Sequence, residues 1–237
     1  VNTRSQVACA GVGFAGLGLI LVGMIVGRYI PAPPAYWTAD ELAGFYRESP
    51  LRIQIGVLIL LVATVGWATL MAAVSAQLGR IEGARTLRKL QNVTGTAVYL
   101  LLTLFGVFLG AAAFRPERSA EVTQALHDVG WFMAFLAAPA FMAQAIAVGL
   151  AVLSQRGPDR VYPRWLGYTG LWVALLLLPG MLLLCFHTGP FAYHGLIAYW
   201  LALFTFGGWM GAQCLAVLLA ARAEARAGTP APTPAAA

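Results

Sequence analysis

The residues of this chain that could do chemistry are few, and most of them lie at the edges of long apolar runs. Three histidines, His127, His187 and His194, are present, and two of them share the stretch CFHTGPFAYHG at 185–195. Imidazole suits copper, zinc, iron and haem, and a carboxylate such as Asp128 or Glu121 can orient a ligating ring. Met181 and Cys185, four residues apart, would add soft sulfur for Cu(I). The plainer reading stands beside this one: histidines at a membrane edge and sulfur residues at helical spacing are commonly interface and packing groups, and no tight ligand spacing occurs. His127, His187 and His194 are thus the candidate metal set, with copper or haem as the cofactor it would take, while the leading expectation is no cofactor.

A second set lies deeper. Gln144 and Gln213 stand at comparable depth in two apolar runs, where an amide facing lipid is costly and a mutual hydrogen bond is the simple remedy. Pro139 and Pro179 interrupt two runs. Each removes an amide donor and clashes with the carbonyl four residues earlier, so each predicts a kink, and paired kinks can open a cavity. Pro139, Gln144, Pro179 and Gln213 are the candidate ligand-binding residues.

The elements that must position these groups follow from composition. Of 237 residues, 60% are hydrophobic and 10% charged, against roughly 25% charged in a soluble domain. Several apolar runs reach the roughly 20 residues that cross a bilayer as helix, and the dyad alternation of a β-barrel is missing. The expected fold is all-α, a polytopic bundle of six transmembrane helices within residues 1–223, with spans at about 9–30, 53–77, 92–114, 129–153, 165–186 and 195–220. Residues 224–237, Pro- and Ala-rich, read as a disordered tail. The first run is long and lacks a small-residue cleavage pattern, so it reads as a retained span.

Net charge is +6, but the basic residues are scattered at run ends and form no stripe for nucleic acid. Ten of the 15 basic residues fall in the terminal and even-numbered connecting segments, the other five in the odd-numbered ones. The positive-inside rule then puts both termini in the cytoplasm. All but one of the 15 are Arg, which suits a GC-rich bacterial genome and a cytoplasmic (inner) membrane.

The first outer loop predicts a short amphipathic helix at about 39–48, with Thr38 and Glu41 in capping-box spacing and Leu42, Phe45 and Tyr46 on one face. It reads as a helix resting at the membrane interface, or as a lid. Ser119 is placed to cap the helix leading into span four. Gly23 with Gly27, Gly106 with Gly110, and Gly207 with Gly211 have GxxxG spacing, which serves packing within the chain or a homo-oligomer. Cys9, Cys185 and Cys214 match no redox or zinc spacing.

The segments AFRPERSAEVTQALHDVGWFMAF and YPRWLGYTGLWVALLLLPGMLLLCFHTGPFAYHGLIAYW resemble a group of six-span bacterial membrane proteins without a known activity. In that group F-R-P-[DE]-R, P-R-W-L-G-Y and T-G-P-F-A-[WY] recur, matching Phe114 to Arg118, Pro163 to Tyr168 and Thr188 to Tyr193. The resemblance implies six spans, and it does not require histidine at 187 and 194.

No Walker loop, nucleophile elbow, H-E-x-x-H or paired carboxylates occur. No ionisable residue falls in the middle third of a span, unlike ion-coupled transporters and voltage sensors. The leading expectation is a protein without catalysis of its own. It would be a subunit of a membrane complex, meeting a protein partner and the lipid bilayer, or a binder of an apolar molecule or lipid. Two alternatives are a metal- or haem-dependent oxidoreductase using the histidines, and a passive carrier of a hydrophobic compound.

Overall fold

The computed structural model describes residues 3–227. Among the described residues there is no strand, and six helical stretches are long and apolar enough to cross a membrane. They are α1 (Thr3–Val26), α3 (Pro50–Leu78), α4 (Arg85–Phe114), α5 with α6 (Ala120–Phe135, Ala138–Leu153), α7 with a 3-10 segment (Arg164–Leu177, Leu178–Cys185), and a π segment with α8 (Leu196–Leu201, Ala202–Ala227). All six expected spans are present. Most run past their expected ends, because polar residues at a helix end reach hydrated headgroups and need not stop the helix. Thus α4 starts at Arg85 and α5 at Ala120. The last helix continues through Glu224, which pairs with Arg80 at 3.2 Å, to Ala227, so helix covers the first residues assigned to the tail. The rest of that tail lies outside the described residues.

Span one ends sooner than its apolar pattern, at Val26. The turn is a Schellman motif: Arg28 N–H donates to the Ile25 carbonyl (3.2 Å) and Tyr29 N–H to that of Met24 (2.8 Å). Its left-handed residue is Arg28, with φ of 63°, a conformation that costs an L residue roughly 1–2 kcal/mol. The Arg28 side chain reaches Glu48 (2.8 Å) and lies over the Phe45 ring (5.3 Å), tying the turn to the next helix.

That next helix, α2 (Ala39–Glu48), has the expected bounds and the expected capping box. Thr38 N–H donates to Glu41 Oε2 (2.8 Å), and Glu41 N–H to Thr38 Oγ1 (3.3 Å). The Thr38 amide, and the Thr38 hydroxyl that also donates to Oε2 (2.9 Å), hold the Glu41 carboxyl below the usual carboxylate range. Its apolar face, however, does not rest in lipid. Leu42 and Tyr46 are buried against α3, α4 and α5, so α2 closes one end of the bundle. Only Ser49 separates it from Pro50, which opens α3 at a position where a missing amide costs nothing. Ser119 occupies the N-cap position of α5, but its hydroxyl makes no capping bond.

The spans form a ring in which α1 meets α3 and α8, α3 meets α4, α4 meets α5 and α6, α6 meets α7, and α7 meets α8. Both described chain ends lie at the face opposite α2, where Gln77 hydrogen-bonds Gln6 and Glu224. In lipid this association depends on close packing. One close crossing is Gly16 on Gly66: a Cβ on either would sit 2.7 Å from the other's Cα. The anticipated glycine ridges also pack inside the chain. Gly23 faces Leu60, Gly106 faces Leu61, Gly110 faces Val57, and Gly207 and Gly211 face Leu17.

Candidate functional site

Three of the six spans lose regular helix over part of their length. Span four breaks between Phe135 and Ala138, with Pro139 in the first turn of α6. Span five tightens into the 3-10 segment at Leu178, where Pro179 interrupts the α-helical ladder. Span six begins as a π turn, in which Trp200 N–H reaches the Gly195 carbonyl five residues back (3.4 Å), while Ile197 and Ala198 N–H both donate to the Pro190 carbonyl (2.9 and 3.3 Å). Irregular backbone at membrane depth is tolerated where protein buries it or a cavity is lined, and single π turns recur at functional sites.

Here it frames an apolar cavity of about 140 Å³ at the centre of the ring. Every span contributes a wall: Met24; Leu60, Thr64 and Trp67; Leu102 and Phe105; Trp131, Ala134, Ala138 and Phe141; Leu177 and Gly180; Tyr199 and Phe206. The polar side chains of that wall are all engaged elsewhere. Thr64 Oγ1 donates to the Leu61 carbonyl (2.8 Å), Trp67 Nε1 to that of Gly95 (2.9 Å), and Tyr199 OH to that of Tyr29. Trp67, Phe141 and Phe206 form the floor, with ring centroids 5.2–5.5 Å apart. Toward α2 the roof is Trp131, stacked on Tyr193 (5.8 Å) and Phe135 (5.6 Å). Pro139 and Pro179 do not line the space themselves; they break the helices that surround it.

Beyond the roof lies His127, wholly buried. Indole N–H only donates, so the 3.0 Å contact from Trp131 Nε1 makes His127 Nε2 an acceptor and puts the ring proton on Nδ1. Nδ1–H then donates to Tyr46 OH (2.9 Å), whose own proton faces Tyr29 OH (3.3 Å). Burial holds the Tyr29 and Tyr46 phenols far above their ordinary pKa, and both stay neutral.

This order leaves His127 without a free lone pair for a metal. His194 is engaged as well: its Nδ1 accepts the Ala35 amide (2.9 Å), and the ring meets Tyr36 edge-on at 5.4 Å. Burial pushes its pKa down. His187 is exposed near Asp128, and Asp128 accepts from Tyr193 OH (3.3 Å). The Tyr193 ring contacts both His127 and His194, at 5.9 and 6.2 Å, so the histidines meet around a phenol. Among the described residues no three His, Cys, Asp or Glu side chains are grouped to hold a metal ion. Nor do Met181 and Cys185 share a face. They lie in the 3-10 segment, whose three residues per turn rotate i+4 away from i.

Below the floor the expected bond between the two glutamines forms, Gln144 Nε2 to Gln213 Oε1 at 2.9 Å. Trp209 Nε1 donates to Gln144 Oε1 (2.9 Å), which fixes the amide's orientation. Gln91 joins from α4, and its Nε2 and that of Gln144 both reach Met71 Sδ (3.2 and 3.5 Å). Gln144 and Gln213 therefore sit beneath the cavity and do not line it. Sequence reasoning missed Trp67, Trp131, Phe141 and Gly180 as cavity residues, and it placed Tyr46 only on the apolar face of α2. The i, i+4 spacing of His127 and Trp131 is a signal that pointed there.

No family model, curated protein or solved structure matches the chain.

Proposed function

We propose that this protein binds an apolar molecule, or the apolar end of one, inside its six-helix bundle, and carries no catalytic chemistry of its own. The supporting observation is the cavity: one wall from every span, three spans irregular beside it, and every polar side chain of its wall already hydrogen-bonded. A core cavity of about 150 Å³ lined by aliphatic and aromatic groups stays dry and takes benzene or xenon. By the scaling of roughly 24 cal/mol per Å³, a void of this size left unfilled costs about 3 kcal/mol. An occupant recovers that packing. The asymmetry of basic residues supports placing both termini in the cytoplasm of a bacterium, with α2 at the outer face.

Photolabelling tests the reading. A short alkyl diazirine, irradiated with the protein in lipid nanodiscs and mapped by mass spectrometry, is expected to modify buried Ala138 and Phe141, which bulk lipid does not touch. Ala138→Leu, which fills the space, is expected to abolish those adducts. Labelling confined to lipid-facing residues such as Leu178 and Phe204 would defeat the proposal.

A further inference from the structure

We infer that the occupant is the end of a lipid hydrocarbon chain from the leaflet on the α2 side, and that it passes sideways between the α5–α6 junction and the 3-10 segment, over Gly180. This rests on the apolar-cavity reading above and adds to it a source and a route.

The route follows from which sides of the cavity are closed. On the side away from α2, the Trp67, Phe141 and Phe206 rings form a floor, and the ring of spans below is joined through α1, α3, α4, α6, α7 and α8. Toward α2, the buried Leu42 and Tyr46 lie above the Trp131 roof. Sideways, the wall on the α2 side is less complete. The 3-10 and π segments pack on each other, with the 3-10 segment also on α6 and α7 and the π segment on α8; the π segment reaches α5 through Tyr199, whose ring meets Trp131 at 5.8 Å, but the 3-10 segment packs closely on neither α5 nor α1. That leaves two seams flanking the pair.

The seams differ in what fills them. Between the π segment and α1, Tyr199 OH bonds the Tyr29 carbonyl, and Ile20, Met24 and Leu203 supply bulk. Between the 3-10 segment and span four, the cavity is bordered by Ala134, Phe135, Ala137 and Ala138 on one side and Leu177 and Gly180 on the other, with the Phe135 ring turned onto Trp131 and Tyr199. A Cβ built on Gly180 meets nothing within 4 Å. Small side chains leave this seam passable, and the other is bolted.

The occupant follows from size and chemistry. About 140 Å³ holds a benzene-sized group. That is the end of an acyl or polyprenyl chain and far less than a lipid. The rest of the chain stays in the bilayer, and the wall's spent polar groups leave the headgroup no role in binding.

The test uses the full chain in nanodiscs made with a phosphatidylcholine that bears a diazirine at the terminal carbon of one acyl chain. Adducts are expected at Ala138 and Phe141. Gly180→Leu is expected to abolish them while lipid-facing Leu182 labels as before. Gly180→Ala, whose methyl meets open space, should keep them and so controls for folding. Leu196→Ala, on the lipid-facing side of the π segment and outside the cavity, should also keep them. If the short alkyl diazirine labels the cavity and the chain-terminal lipid does not, the lipid route is overturned and the apolar cavity stands. If Gly180→Leu leaves the lipid adducts unchanged, the seam is misassigned. If neither probe reaches Ala138 or Phe141, both proposals fall.

Discussion

On each side of the cavity an indole N–H sets the direction of a buried hydrogen-bond chain, and the two chains end differently. On the α2 side Trp131 fixes His127, which leads through Tyr46 to Tyr29, every member partnered. On the far side Trp209 fixes Gln144, which leads to Gln213, whose Nε2 has no partner. The same half holds the other unpartnered buried side-chain atoms among the described residues, Gln6 Nε2, Gln91 Oε1 and Tyr162 OH. The half with broken helices thus satisfies its buried side chains, whereas the half with regular helices does not. Three of those four atoms are glutamine amide ends: an amide has two fixed ends, and satisfying one end of Gln144 against a donor-only indole commits the other. Regular helices held by glycine crossings leave little room to adjust.

The largest way to break this contrast is His127→Ala. It strands the Trp131 and Tyr46 donors and opens a void, with an expected loss of about 3 kcal/mol or more. Unfolding in mixed micelles measures it, and a loss below that of Gln213→Leu would show the α2-side chain to be the weaker one. Next comes Gly66→Val, whose Cβ would lie 2.7 Å from the Gly16 Cα. Overpacking at a backbone crossing predicts roughly 1–3 kcal/mol of destabilisation, and a neutral result would mean that α1 and α3 do not cross there.

Gln144→Leu and Gln213→Leu should each cost about 0.6–1.7 kcal/mol, the range found for hydrogen bonds between membrane helices. The double variant should cost less than their sum, because the pair shares one bond. Strict additivity in the double-mutant cycle would contradict the 2.9 Å contact.

A pH scan separates the α2 end from the rest of the bundle. Burial lowers the His194 pKa in the folded state, so the unfolded chain takes up its proton first. Stability is then level above an unfolded value of about 6.5 and declines as pH falls from there toward the lower folded value. Protonation also removes the acceptor for Ala35 N–H. Hydrogen exchange at the Ala35 amide should accelerate across that window in the wild type, and His194→Gln should abolish the dependence. The smallest effect belongs to Thr38→Ala, about 1 kcal/mol from the lost cap. Near pH 4 the loss should shrink, because Glu41, whose folded pKa is lowered by Thr38, contributes above its unfolded value and is neutralised as pH falls.

Much was legible in the sequence because it is local. Twenty apolar residues must form a helix in lipid, Thr38 and Glu41 meet across one turn wherever α2 sits, and a proline removes its own amide whatever surrounds it. Six spans, the α2 bounds and the helix breaks near Pro139 and Pro179 all follow from such terms. Tertiary structure alone decided what those elements face. Only the ring order puts three breaks around one cavity, turns Tyr46 from the membrane toward His127, and sets Tyr193 between His127 and His194. The reason is that an apolar residue in a membrane protein satisfies its solvent equally well against lipid or against protein. Periodicity therefore locates the helices but does not say which face turns inward, and the few polar groups and close glycine crossings settle that choice.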